Sequence, residues 1–152
     1  MLDQSVSDFS LPSTSNSPFQ LSAHRGKTIV LYFYPKDNTP GCTIESQAFR
    51  DLQPDFEALN ALVLGVSRDS LKSHDNFRSK FSLNFDLLSD ADEVLCQQFG
   101  VIKEKTMYGK KVRGIERSTF VIDTQGVLRK AWRGVKVDGH AQSVLEFVKT
   151  LS

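Results

Sequence analysis

Thr28-Ile29-Val30-Leu31-Tyr32-Phe33-Tyr34 is an unbroken run of β-branched, apolar and aromatic residues. It lacks the alternation of a half-exposed strand, so it reads as a central strand covered on both faces. Pro35 ends it, because proline cannot donate to a ladder inside a sheet. Lys36-Asp37-Asn38-Thr39-Pro40-Gly41 is a polar turn cluster. Beyond it the period changes. Ile44, Ala48, Leu52, Phe56 and Leu59 recur every three or four residues, which marks a helix face. Strand, turn and helix in this order open an α/β unit.

The pattern repeats along the chain. Ala61–Val66 is a second strand, and Asp69 is placed to cap a helix carrying Leu71, His74, Phe77 and Phe81. Phe85–Leu88 is a short strand. Asp90 is placed to cap a helix with Val94, Leu95 and Phe99, and Gly100 stands at its stop. Ser118–Ile122 and Val127–Trp132 flank the turn Asp123-Thr124-Gln125-Gly126 and form a hairpin. A last helix buries Val144, Leu145, Val148 and Leu151. Ahead of all this, Ser13–Pro18 is a polar turn between two short extended pieces. The order β-α-β-α-β-α-β-β-α predicts an α/β fold: a central mixed sheet with helices on both faces, in the thioredoxin-like arrangement. Fold class alone carries no chemistry.

Composition narrows the function classes. The chain has 152 residues, 39% hydrophobic and 24% charged, which suits a single domain over 1–152. Its 19 basic and 18 acidic residues leave a net charge of +1, against the basic excess of a nucleic-acid binder. No apolar run approaches the ~20 residues that span a bilayer. Met1–Ser5 lacks the basic and apolar regions of a secretory signal. Two cysteines are too few for a disulfide scaffold, so a reducing, cytoplasmic setting is expected. His24, His74 and His140 are scattered, with no cysteine or acid at ligand spacing, so no metal site is expected.

Cys42 follows a central strand and sits at a helix start. Ligand sites in open α/β sheets gather at the carboxyl ends of strands. Unpaired N–H groups and the helix dipole favour negative charge there, and a thiolate is the reactive form of cysteine. The alternative use is a small buried hydrophobe.

The neighbours of Cys42 decide between these. Pro35, Thr39 and Cys42 have the spacing P-x3-T-x2-C, which resembles the peroxiredoxin active-site motif. Tyr34-Pro35-Lys36-Asp37, Thr39-Pro40-Gly41-Cys42-Thr43, Glu45 and Phe49-Arg50-Asp51 resemble the bacterioferritin comigratory protein, or peroxiredoxin Q, subfamily. So do Leu88-Ser89-Asp90, Gly114–Asp123 and Val135–Ala141. The resemblance implies a thiol peroxidase for hydrogen peroxide and organic hydroperoxides, working without metal or haem. It implies Cys42 as the peroxidatic thiolate and Pro35 as its shield from water. Thr39 would accept a hydrogen bond from the peroxide or donate one to the thiolate. Arg117 would reach the sulfur from a later strand, where a permanently charged fork donor can steady negative charge. Glu45 would brace an arginine or merely favour the helix start. The resemblance also implies a monomer.

The chain departs from that pattern. Gln47 stands where many members carry a resolving cysteine, and the region Leu71–Phe81 has none. Cys96 is the one other cysteine, and its apolar neighbours mark it as core. As a resolving residue it would need local unfolding, because a disulfide requires Cα atoms roughly 4.4–6.8 Å apart. A one-cysteine cycle follows, with thioredoxin, glutaredoxin or a small thiol as reductant. Two other readings stand beside it. A thioredoxin-type oxidoreductase needs C-x-x-C, but Glu45 occupies the second place. A redox-sensing or chaperone-like binding protein is the non-enzymatic reading.

Overall fold

The computed structural model describes residues 2–151; Met1, Ser152 and the side chain of Met107 lie outside the description. Its strands are β1 (Ser10–Leu11), β2 (Phe19–Gln20), β3 (Thr28–Phe33), β4 (Ala61–Ser67), β5 (Leu87–Ser89), β6 (Ile102–Met107), β7 (Lys110–Ile115), β8 (Ser118–Ile122) and β9 (Leu128–Arg133). Its helices are α1 (Pro40–Ala58), α2 (Leu71–Lys80), α3 (Val94–Gln98) and α4 (His140–Lys149).

The run that opened the sequence is the middle of the molecule. β3 is buried at every position and is third in a five-stranded sheet ordered β5-β4-β3-β8-β9. It pairs in parallel with β4 and antiparallel with β8. Alternate residues feed two cores. Val30, Tyr32 and Tyr34 join Phe49, Phe56, Phe77, Val144 and Val148 under α1, α2 and α4. Ile29, Leu31 and Phe33 join Phe9, Leu11, Phe19, Leu95 and Phe99 on the other face. That second face is covered by the short α3 and the β1–β2 hairpin, a thinner layer than the helices expected there.

The elements of the expected fold are present, with local corrections. The buried face of α1 is Cys42, Glu45, Ser46, Phe49, Gln53 and Phe56, while Ile44 is 57% exposed. The apolar stripe misplaces this face because the helix turns polar residues inward to partners; Ser46, for example, meets the Tyr32 hydroxyl at 2.8 Å. Pro54 sits inside α1 and cannot donate to the carbonyl of Arg50, which accepts instead from the Asn84 side chain at 3.2 Å. Ser70, not Asp69, caps α2 by accepting from the Ser73 N–H. The β6–β7 hairpin was not foreseen. Its residues are largely exposed, so no apolar alternation announces it; Tyr108 and Gly109 make the turn with positive φ.

At α3 the expectation is met in an unusual way. Glu93 adopts a left-handed conformation at the helix start and caps nothing with its side chain. Asp90, three residues earlier and buried, accepts from the N–H groups of Leu95 at 3.2 Å and Cys96 at 2.7 Å. Val94 is 63% exposed rather than core. Gly100 has φ +65°, and the Val101 N–H returns to the Cys96 carbonyl, closing the helix. Asp90→Ala leaves two buried donors without an acceptor and should lower unfolding stability by about 3 kcal/mol, read from urea denaturation. A loss under about 0.5 kcal/mol would show that Asp90 is dispensable to the fold.

Candidate active site

Two chain segments meet at the carboxyl end of β3, in the interior of the sheet. β3 runs into the loop 34–39 and then α1, and β8 begins opposite the end of β3, with Phe33 paired to Ser118. Arg117, the residue before β8, is thereby delivered to the first turn of α1. Its Nη2 lies 3.3 Å from Cys42 Sγ, and its Nη1 donates to Glu45 Oε1 at 2.7 Å. Cys42 and Glu45 are each 1% exposed. Glycine at 41 leaves room for the cation, since a Cβ there would stand 3.2 Å from Nη2. Pro40 starts α1 after Thr39 in extended conformation, and Cys42 lies in the first turn, where helix N–H groups lack intrahelical acceptors.

The other expected residues are placed as follows. The Thr39 hydroxyl donates to the Lys36 carbonyl at 2.8 Å, so its proton is engaged and its lone pairs remain free to accept. Pro35 is exposed, directly after Tyr34. Glu45 does brace an arginine. Burial pushes its carboxyl up to about 7 against the pull of Arg117, and its Oε2 has no hydrogen-bond partner among the described residues. Burial lowers the basicity of Arg117, but Glu45 and the Cys42 sulfur outweigh it and leave the guanidinium more basic than usual.

Sequence reasoning missed a buried lock behind the loop. Asp37 accepts from the Tyr34 hydroxyl at 2.5 Å and the Ser73 hydroxyl at 2.8 Å, and its Oδ2 lies 2.7 Å from His74 Nδ1. His74 Nε2 lies 2.9 Å from the Leu88 carbonyl, which can only accept, so Nε2 carries a hydrogen. Asp69 accepts from the Asp37 N–H and the Ser67 hydroxyl. The histidines are thus not all apart from acids: Asp37, Asp69 and His74 bring ligand-type atoms within 4.8 Å of one another. Asp37 is more than thirty residues from Asp69 and His74, so only folding brings the three together. The hydrogen bonds just named engage them, and together they fasten the loop before α1 to β4, α2 and β5. His140 is a second unforeseen neighbour. Burial, then the charge of Arg117, lowers it to about 4, and Nε2 shares a hydrogen with the Thr119 hydroxyl at 2.8 Å.

The AhpC/TSA family profile matches residues 2–131. A peroxiredoxin Bcp of Xanthomonas campestris pv. campestris is 53% identical over 151 residues, covering 98% of this chain and 94% of that protein. The Bacillus subtilis peroxiredoxin Bcp is 46% identical, covering 99% and 96%. The chain belongs to the AhpC/TSA family. Its relatives are peroxiredoxins, which are thiol-dependent peroxidases, and it shares their fold. A solved structure of the Xanthomonas campestris bacterioferritin comigratory protein, from work on that protein's alkyl peroxide reduction, superposes with a TM-score of 0.90 at 53% identity, covering 93% of this chain and 90% of that one. A PrxQ structure from Xylella fastidiosa gives 0.94 at 48% identity, covering 99% and 96%.

Within this peroxiredoxin the two cysteines are set apart. Both are free and buried. Cys42 belongs to the core under α1 and α4, whereas Cys96 belongs to the core on the opposite face of the sheet. Burial and the Asp90 carboxylate push the Cys96 thiol far above the ordinary range, which disfavours its thiolate. Gln47 is half-buried on α1, and α2 carries no cysteine.

The raised Glu45 has a pH signature. Between its ordinary value of 4.5 and about 7, the folded state keeps a proton that the unfolded chain has lost. Its contribution to stability is therefore full below 4.5 and falls as pH rises to about 7, by at most about 3 kcal/mol. Urea midpoints measured near about pH 5 and about pH 8 should differ less in Glu45→Gln than in the parent protein. An unchanged difference would contradict the buried, proton-holding Glu45.

Proposed function

We propose that Cys42 is the peroxidatic residue and that it completes the protein's part of the cycle alone. The observation that carries this reading is the contact of Arg117 with both Cys42 and the buried Glu45. The Cys42 thiolate attacks the terminal oxygen of a hydroperoxide. An S–O bond forms, the O–O bond breaks, and alkoxide leaves and takes up a proton as the alcohol; with hydrogen peroxide the product is water. Cys42 is left as a sulfenic acid. Arg117 steadies the negative charge that builds on the leaving oxygen. Thr39, with its own proton on Lys36, accepts from the peroxide O–H and orients it. Pro35 shields the sulfur from bulk water. Glu45 is a positioning residue that acts through Arg117.

A thiol then condenses with the sulfenic acid, releasing water and forming a mixed disulfide. A second thiol breaks that disulfide and restores Cys42. The placement of Cys96 in the other core supports an outside reductant: thioredoxin, glutaredoxin or a small thiol. Hydrogen peroxide and small organic hydroperoxides are the substrates of this reading. The two free cysteines fit a reducing cytoplasmic setting, and one monomeric domain over 1–152 supplies the groups that attack the peroxide. Disulfide exchange of the thioredoxin type lacks its second cysteine, since Glu45 holds that position.

Peroxide consumption with dithiothreitol as reductant tests the assignment. Cys42→Ser should abolish turnover, and Cys96→Ser should retain most of it. Normal turnover by Cys42→Ser would remove Cys42 from the mechanism.

A further inference from the structure

The β6–β7 hairpin concentrates the charge of the molecule. Between Ile102 and Ile115 it carries Lys103, Lys105, Lys110, Lys111 and Arg113 against a single acid, Glu104, while the whole chain is only +1. Arg113 is paired with Glu93, which Arg68 also meets at 2.9 Å, and this ties β7 to the start of α3. Among the described residues, the four lysines have no salt bridge and are exposed.

Register divides the hairpin into two faces. Lys103 opposes Gly114, Lys105 opposes Val112, and Met107 opposes Lys110. Directly opposed residues share a face, so Lys103, Lys105 and Lys110 stand on one side with Val112, which is 44% exposed. A groove of about 170 Å³ runs along this side, lined by Lys103, Lys105, Val112, Gly114, Ile115 and Glu116. Glu116 is the residue before Arg117, whose guanidinium touches Cys42. The basic face thus starts one residue along the chain from Arg117 and extends along strands six residues long, about 20 Å.

We propose that this face is the docking surface for the protein reductant of Cys42, a redox protein that presents an acidic surface around its own thiol. The inference rests on the one-cysteine reading, which requires an outside thiol to reach Cys42. Three lysines around an exposed valine give an apolar centre within a charged rim, and such a rim steers an oppositely charged protein into register. The length of the face exceeds any small thiol and suits a protein. Its charge has no share in the attack on peroxide, so reduction by a small neutral dithiol does not depend on it.

The test compares the full-length protein with its Lys103→Glu, Lys105→Glu, Lys110→Glu triple variant. An acidic bacterial thioredoxin with its reductase, or dithiothreitol, serves as reductant. With thioredoxin, kcat/KM should fall about tenfold or more in the variant, and in the parent it should fall as salt is raised. With dithiothreitol the two proteins should match, which also shows that the variant is folded. Equal kcat/KM with thioredoxin would overturn the docking surface. So would failure of the acidic thioredoxin to reduce a parent that dithiothreitol supports; the peroxidase reading would survive both. Salt-sensitive capture of duplex DNA by the parent, lost in the variant alongside unchanged thioredoxin kinetics, would assign the face to nucleic acid instead.

Discussion

The pairing of β8 against β3 is the constraint on which the site depends. Register sets Phe33 beside Ser118, so the last residue of β3 faces the first residue of β8. Arg117 and Cys42 are separated by 75 positions in sequence but only 3.3 Å in space because those strands are neighbours. A one-residue slip of β8 would turn its side chains to the wrong faces and take Arg117 away from the sulfur. The register is well defended. Both strands are buried along their whole length, and each alternate side chain belongs to a different core.

Electrostatics at the site follow from one cation between two acidic groups. Arg117 donates to Glu45 and lies against Cys42 in a nearly closed space. Burial resists charge on Glu45, so near neutral pH its carboxyl is only partly ionised. The guanidinium is then not wholly committed to the glutamate and can serve the sulfur. The Asp37 lock supports this arrangement from behind by fixing the loop through which β3 enters α1.

Much of the frame was legible in the sequence because period and punctuation report burial. β3, β4, the β8–β9 hairpin and α4 all announce themselves through apolar patterning. The buried face of α1 was not, because Glu45, Ser46 and Gln53 point inward and a count of apolar residues cannot find them. The β6–β7 hairpin escaped for the opposite reason: its exposed lysines have no period that distinguishes strand from loop. The cysteine at the strand-to-helix turn was readable from physical principles, but Arg117 was tied to it only through the family resemblance. The Asp37–His74 lock needed the fold itself, since its partners come from separate elements.

The two cysteines lie in opposite cores, and this supports the proposal that neither resolves the other. On the proposed reading the reductant of Cys42 is therefore a different molecule. Mass spectrometry of the protein treated with one equivalent of peroxide, in the presence of a sulfenic-acid trapping dione and digested without reductant, tests this most directly. The account predicts the trapped adduct on the Cys42 peptide and an unmodified Cys96 peptide. A Cys42–Cys96 disulfide peptide in good yield would contradict it.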